Sequence, residues 1–246
     1  MFPIRDTIPS RSAFPVATVT LILVNAGIFL LQLGLPDRQL QWTVYMFGIV
    51  PRRFTHPVWA AWVGFPVDDY WPFLTSMFLH GGWFHLISNM WTLWIFGDNV
   101  EDRMGPVRFI LFYLLCGVIA GAIHTVTNAS SALPVIGASG AIAGVLAAYS
   151  VLFPLARIVC LFPIFFFPLF IEIHAFLFVL IWFWSQFLSG AFSLLEPGQV
   201  GGIAWWAHIG GFVAGLLLYR LFLTKPPRRR RLLKNEYGID GARRPW

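Results

Sequence analysis

An all-α, polytopic membrane protein folded as a bundle of six transmembrane helices is the fold class this sequence predicts. Three observations predict it: the composition, the spacing of the apolar runs and the sidedness of the basic residues. Of 246 residues, 58% are apolar and only 11% are charged, against roughly 45–50% and about 25% in a soluble domain. A water-soluble chain needs a polar shell, yet the charges here gather at the ends and in short connectors. Disordered, collagenous and disulfide-rich secreted classes are excluded on the same grounds.

A spanning helix takes about 20 mostly apolar residues, and runs of that kind lie near 15–35, 83–99, 104–126, 138–155, 164–188 and 203–223. An even number of crossings puts both termini on one side. If that side is cytoplasmic it holds 14 of the 17 Lys and Arg residues, leaving only Arg38, Arg52 and Arg53 outside, as the excess of basic residues in cytoplasmic loops requires. The expected organisation is a cytoplasmic N-terminal tail at 1–14, a membrane domain at 15–224 and a basic cytoplasmic C-terminal tail at 225–246.

The first run is too long for a signal-peptide core, and Gly34-Leu35-Pro36 is no small-x-small cleavage site, so it reads as an uncleaved helix. Residues 36–72 carry Trp42, Trp59, Trp62, Phe65, Tyr70 and Trp71 among Pro51, Pro57, Pro66 and Pro72. Prolines stop such a segment from spanning, and its aromatic rings favour the headgroup level, so it reads as an interfacial first loop. The Arg228 to Arg231 run reads as an orientation signal or a contact with anionic membrane lipids, not as a nucleic-acid site. Cys116 and Cys160 sit in apolar surroundings apart from each other, which argues against a disulfide or a metal cluster.

Polar side chains inside a bilayer are costly, so the few present are the first functional candidates. In the second run, His85 and Asn89 stand four apart on one helical face near the outer end. Read alone, that pair is more readily an interhelical cross-link. At the start of the fourth run, Gly137-Ala138-Ser139-Gly140 puts a serine where a loop becomes a helix. It serves there as a helix cap, or as a nucleophile beside the unpaired N–H groups of a helix start, which favour negative charge.

In the sixth run His208, Gly211 and Gly215 fall on one face, and Gly140 with Gly144 offers a matching small-residue face on the fourth. If the two faces meet, His208 and Ser139 come within hydrogen-bond reach, the relation of a base to its nucleophile. The second, fourth and sixth runs all begin on the outer side. Asn89 and His208 then lie roughly 9 Å below their helix starts, at a rise of about 1.5 Å per residue, with Ser139 near the top of its own helix.

These residues resemble the rhomboid family of intramembrane serine proteases over about 15–224. The resemblance rests on His80-x4-His85-x3-Asn89, on Gly137-Ala138-Ser139-Gly140 and on Ala207-His208-x2-Gly211-x3-Gly215, in the family's order. It implies Ser139 as nucleophile, His208 as general base, and an oxyanion hole from the Ser139 N–H with the His85 and Asn89 side chains. It also implies a structural role for Glu101 and Gly105 and transmembrane protein substrates, with no cofactor or metal expected; a Ser-His dyad is expected because the sequence shows no third catalytic carboxylate. A bacterial-type cytoplasmic membrane is the expected location.

The chain departs from the family's pattern in two places. Some members carry a tyrosine four residues after the nucleophile, where this chain has Ala143, so His208 needs another support; Trp205 and Trp206 are the nearest candidates. Nor does the first loop show the Trp-Arg pair of some members; Trp42 with Arg52 and Arg53 is the nearest arrangement. No third catalytic carboxylate stands out: Glu172 is expected towards the inner half of the fifth helix, Asp98 and Glu101 at the inner end of the second, and Asp68, Asp69 and Glu196 in outer loops. Two other readings compete, a non-proteolytic rhomboid-like protein that binds membrane clients and a proton-linked transporter using His124, Glu172 and His174.

Overall fold

The computed structural model describes residues 2–8, 14–66, 68–164, 167–195 and 204–224. The basic tail 225–246, Arg11 and Glu196 lie outside the described residues. The chain is mostly helical, and its apolar helices are those of a membrane protein. After strand β1 (Phe2–Asp6) comes helix α1 (Val16–Leu33). The first loop then folds into α2 (Asp37–Phe47), α3 (Pro51–Thr55), α4 (Pro57–Trp62) and α5 (Pro72–Thr75), and a 3-10 turn, Ser76–Phe78, leads into α6 (Trp83–Met104). The chain continues through α7 (Pro106–Thr127), α8 (Ser139–Leu152), strands β2 (Arg157–Ile164) and β3 (Phe167–His174), α9 (Ala175–Leu195) and α10 (Trp205–Phe222).

Among the described residues, three helices are long and apolar enough by composition to cross a membrane: Val16–Leu33, Pro106–Thr127 and, within α9, Ala175–Phe192. The other three fall short for physical reasons. α6 carries Asp98, Glu101, Asp102 and Arg103 in its last turns, α8 has only 14 residues, and α10 holds His208 and Arg220. These are the helices that bear Ser139, His85, Asn89 and His208. Helix α8 is tolerated because it faces protein: every residue from Gly140 to Ser150 is buried, among α6, α7, α9 and α10.

The fifth expected helix, 164–188, is the main departure. Its N-terminal part is strand, and α9 begins only at Ala175. Pro168 would fall within the opening turns of that helix, where it lacks the amide hydrogen and clashes with the preceding turn. A short run rich in aromatic and β-branched residues suits a strand as well as a helix. β2 and β3 pair antiparallel in register Arg157↔His174 through Ile164↔Phe167, and β1 pairs antiparallel with β2 to complete a sheet in the order β1-β2-β3. Glu172 is therefore a strand residue, ion-paired with Arg157 at 2.9 Å. It does not sit inside the fifth helix.

β1 is tied to the bundle from two sides. The Trp91 indole donates to the Pro3 carbonyl at 2.7 Å, and the Asp6 carboxylate accepts from Asn99 Nδ2 at 2.9 Å and from the Tyr149 hydroxyl. Burial pushes the Asp6 carboxyl from 3.8 up to about 6, offset in part by the Tyr149 bond, with Asp98 of α6 facing it. An acid raised by folding contributes its full stability below its unfolded value and loses it as pH rises through the folded one. Protection factors of the β1 amides in hydrogen exchange should therefore rise as pH falls from about 7 to about 5. Asp6→Asn should flatten that dependence.

Glu101 explains how α1 joins the bundle. Its buried carboxylate, on α6, accepts the backbone N–H of Ala17 at 2.9 Å, that of Thr18 at 2.8 Å and the Thr18 hydroxyl at 2.9 Å. A carboxylate thus satisfies the free amides at the positive end of a helix, where negative charge is favoured. Glu101→Ala leaves two buried N–H groups without an acceptor, and an unmet buried donor costs about 1–3 kcal/mol. The expected loss is about 3 kcal/mol in an SDS titration of the protein in mixed micelles, and Glu101→Gln should lose less. Gly105 links α6 to α7 at φ +79°, a conformation suited to glycine, and Pro106 opens α7.

In the first loop, Arg53 is buried and donates to the Met46 carbonyl at 3.1 Å and to Asp69 at 2.6 Å. Arg52 lies 4.7 Å over the Trp59 ring. The ring beneath Arg52 is thus that of Trp59, a residue outside the arrangement of Trp42 with Arg52 and Arg53. A bridge between Ile49 and Val135, with N–H···O distances of 2.9 and 2.8 Å, ties this loop to the segment that leads into α8.

Candidate active site

Helices α8 and α10 meet backbone to backbone. A methyl added at Gly211 would collide with the Gly140 carbonyl, and one at Gly215 with the backbone of Gly144. One at Gly144 would stand 2.6 Å from Cys116 Sγ, and one at Gly140 2.8 Å from the Ala120 Cβ on α7. Bare glycines therefore set the separation of the two helices, as small-residue faces do where no hydrophobic effect drives association.

That approach brings together the two residues the helices carry at their starts. Ser139 is the first residue of α8 and His208 lies in the first turn of α10. His208 Nε2 stands 2.7 Å from Ser139 Oγ. Both are only partly buried, because a cavity of about 1470 Å³ opens onto them. His85, Asn89, Gly137 and His124 line the same cavity.

Gly137 is at φ +123°, and a Cβ there would lie 2.6 Å from His85 Nε2 and 3.7 Å from Asn89 Nδ2. The turn ahead of Ser139 thus presses against both side chains, and its Gly137 N–H is held by the Ser76 carbonyl at 2.8 Å. Asn89 is buried, with Nδ2 3.1 Å from His80 Nε2. His80 is held in turn by Gln32 of α1, whose Oε1 accepts the His80 N–H at 3.0 Å. Burial and the neighbouring His85 depress the His80 imidazole to about 4, so at neutral pH it is uncharged and its Nε2 can accept from the Asn89 amide.

Sequence reasoning missed the environment of the His208 ring. Gln186, buried on α9, brings Oε1 to 2.6 Å from His208 Nδ1. One turn before it, Trp182 lies tilted at 36° with its ring 5.9 Å from the imidazole. Of the two tryptophans proposed as supports, Trp205 stands edge-on at 6.3 Å, while Trp206 packs by Gly190. Gln186 did leave a signal: it is the only amide side chain in the 21 residues of α9. Ala143, four residues after Ser139, is fully buried and offers no ring. Cys116 and Cys160 are both free thiols. Among the described residues, no three His, Cys, Asp or Glu side chains gather as a metal site.

A family model described as Rhomboid domain matches residues 67–225. Over 97 residues the chain is 37% identical to the presenilin-associated rhomboid-like protein, mitochondrial, of Mus musculus, covering 38% of this chain and 26% of that protein. It is 30% identical over 162 residues to RHOMBOID-like protein 6, mitochondrial, of Arabidopsis thaliana, covering 65% of this chain and 46% of that protein. Against Rhomboid-like protein 11, chloroplastic, of the same plant, identity is 34% over 127 residues, or 52% of this chain and 39% of that protein. The match spans between a quarter and a half of these relatives' lengths. Their names place them in mitochondria and chloroplasts, which gives no support to a bacterial cytoplasmic membrane.

Proposed function

Because the chain belongs to the rhomboid family, we propose that it is an intramembrane serine endopeptidase whose substrates are transmembrane proteins. The observation that carries this reading is the 2.7 Å contact between His208 Nε2 and Ser139 Oγ at the start of α8, open to a cavity. With six crossings and both termini on the cytoplasmic side, the site lies beneath the outer surface of the membrane.

His208 Nε2 takes the Ser139 hydroxyl proton as Oγ attacks the carbonyl carbon of a substrate peptide bond. The carbonyl electron pair moves onto oxygen, and the oxyanion is received by the Ser139 N–H with the His85 and Asn89 side chains. When it collapses the C–N bond breaks, and the imidazolium returns its proton to the departing amine. Water then attacks the ester, with His208 as base once more, and Ser139 is regenerated. A helical peptide bond is shielded by its own hydrogen bonds, so cleavage falls where the substrate helix unwinds. Asn89→Ala removes one oxyanion donor and should lower turnover by roughly 10²- to 10³-fold without abolishing it, measured in proteoliposomes.

Labelling of membranes with a fluorophosphonate tests the reading. The parent should be labelled, and Ser139→Ala and His208→Ala should not. An unlabelled parent would favour a rhomboid-like protein that binds membrane clients without cutting them.

A further inference from the structure

We propose that Gln186 is the positioning residue for His208, its side-chain carbonyl holding the imidazole in the one tautomer that leaves Nε2 free to accept the Ser139 proton. The assignment rests on the proteolytic reading of Ser139 and His208. It follows from a chain of hydrogen bonds in which each donor dictates the next. The Ser185 hydroxyl donates to the Trp182 carbonyl at 2.6 Å, so its oxygen is left to accept. Gln186 Nε2 meets that oxygen at 3.1 Å, which sets the amide with nitrogen towards Ser185 and oxygen towards His208.

A carbonyl oxygen only accepts, so at 2.6 Å His208 Nδ1 carries the hydrogen. The neutral ring then has a bare lone pair on Nε2, and the 2.7 Å contact runs from the Ser139 hydroxyl to that nitrogen. The order of donation, from Ser139 through His208 to Gln186, is the one a general base requires.

The surroundings make this contact necessary. With Ala143 buried beneath the site, no ring stacks on the imidazole from α8, and Trp182 covers it only at a tilt. The ionisable groups that face His208 among the described residues are His85 of α6 and His124 of α7, neither of them an anion. Gln186 therefore does the orienting work that a carboxylate performs in a Ser-His-Asp triad. It does so without negative charge. It reaches His208 from α9, a helix that carries none of the family motifs, so the support of the base comes from outside the glycine seam.

The test uses the full chain in proteoliposomes, a fluorophosphonate probe titrated to saturation across pH, and two substitutions. Gln186→Met keeps length and volume but removes the acceptor. It should lower the maximal labelling rate of Ser139 by about 10- to 100-fold, the scale on which loss of the partner orienting a metal-bound histidine lowers activity, with half-saturation within about twofold. Gln186→Glu keeps the acceptor and adds charge. It should label within about tenfold of the parent, with the ascending limb of its pH profile moved about one unit or more towards higher pH, since an adjacent anion favours the imidazolium.

Nitrogen-15 spectra of His208 supply a readout that needs no reactivity: Nδ1–H in the parent, and a mixture of tautomers in Gln186→Met. Parental labelling at every pH by Gln186→Met, with Ser139→Ala and His208→Ala both dead, would overturn the positioning role and leave the protease reading intact. A parent that shows no Ser139-dependent labelling but keeps the Nδ1–H tautomer would overturn the protease reading, and the catalytic meaning of Gln186 with it.

Discussion

Ser139→Ala and His208→Ala are each expected to lower turnover of a transmembrane substrate in proteoliposomes by about 10⁵-fold or more, and the double variant to be no slower than either single one. In the proposed mechanism the two side chains act as one unit: without Oγ there is nothing for Nε2 to deprotonate, and without Nε2 a hydroxyl is a poor nucleophile at neutral pH. Losses within such a unit do not add. What remains comes from binding and from the oxyanion donors, which neither substitution touches. Thermal stability should change little, because Ser139 and His208 are only partly buried beside a cavity. Turnover by Ser139→Ala at the parental rate would end the proposal, whereas a double variant markedly slower than both single ones would mean that the residues work independently.

The second large effect is expected at the seam between α8 and α10. Gly211→Leu should abolish activity and unfold a large fraction of the protein, and Gly211→Ala should lower labelling of Ser139 by about 10²-fold while the chain still folds. A single methyl at 211 meets the Gly140 carbonyl, a rigid backbone group that cannot swing aside. The helices must separate to admit it, and overpacking of this kind costs about 1–3 kcal/mol. Displacing a catalytic group by about 1 Å costs on the order of 10² in rate. Gly27→Ala is the internal control: a Cβ there meets nothing within 4 Å, so it should label like the parent. Equal activity of Gly211→Ala and Gly27→Ala would show that the seam does not set the Ser139–His208 distance.

What was legible in the sequence was what repeats at helical spacing. Gly140 and Gly144 against Gly211 and Gly215 read as matching faces because a four-residue period has one meaning on a helix, and from that alone Ser139 and His208 could be expected to meet. Side chains that act across distant segments were not legible. Gln186 is 22 residues from His208 along the chain, and its role depends on how α9 is rotated, which no periodicity in an almost uniformly apolar helix reveals. The sheet was missed for a different reason. Pairing of β1 with β2 joins residues more than 150 positions apart, and neither strand alternates polar with apolar residues clearly enough to announce itself. The contact of Arg52 with Trp59 was not legible either, because the turn between α3 and α4 decides which indole comes beneath the guanidinium.

The carboxylate that closes the start of α1 also constrains how the molecule is made. Ala17 and Glu101 are separated by 84 positions, so at a synthesis rate of about 5–20 residues per second the helix leaves the ribosome roughly 4 to 17 s before its acceptor exists. For that interval its leading amides are served by water or lipid headgroups, and α1 waits at the interface as an unfinished element. Assembly of this chain is thereby ordered in time, with the start of α1 closed only once α6 has been made.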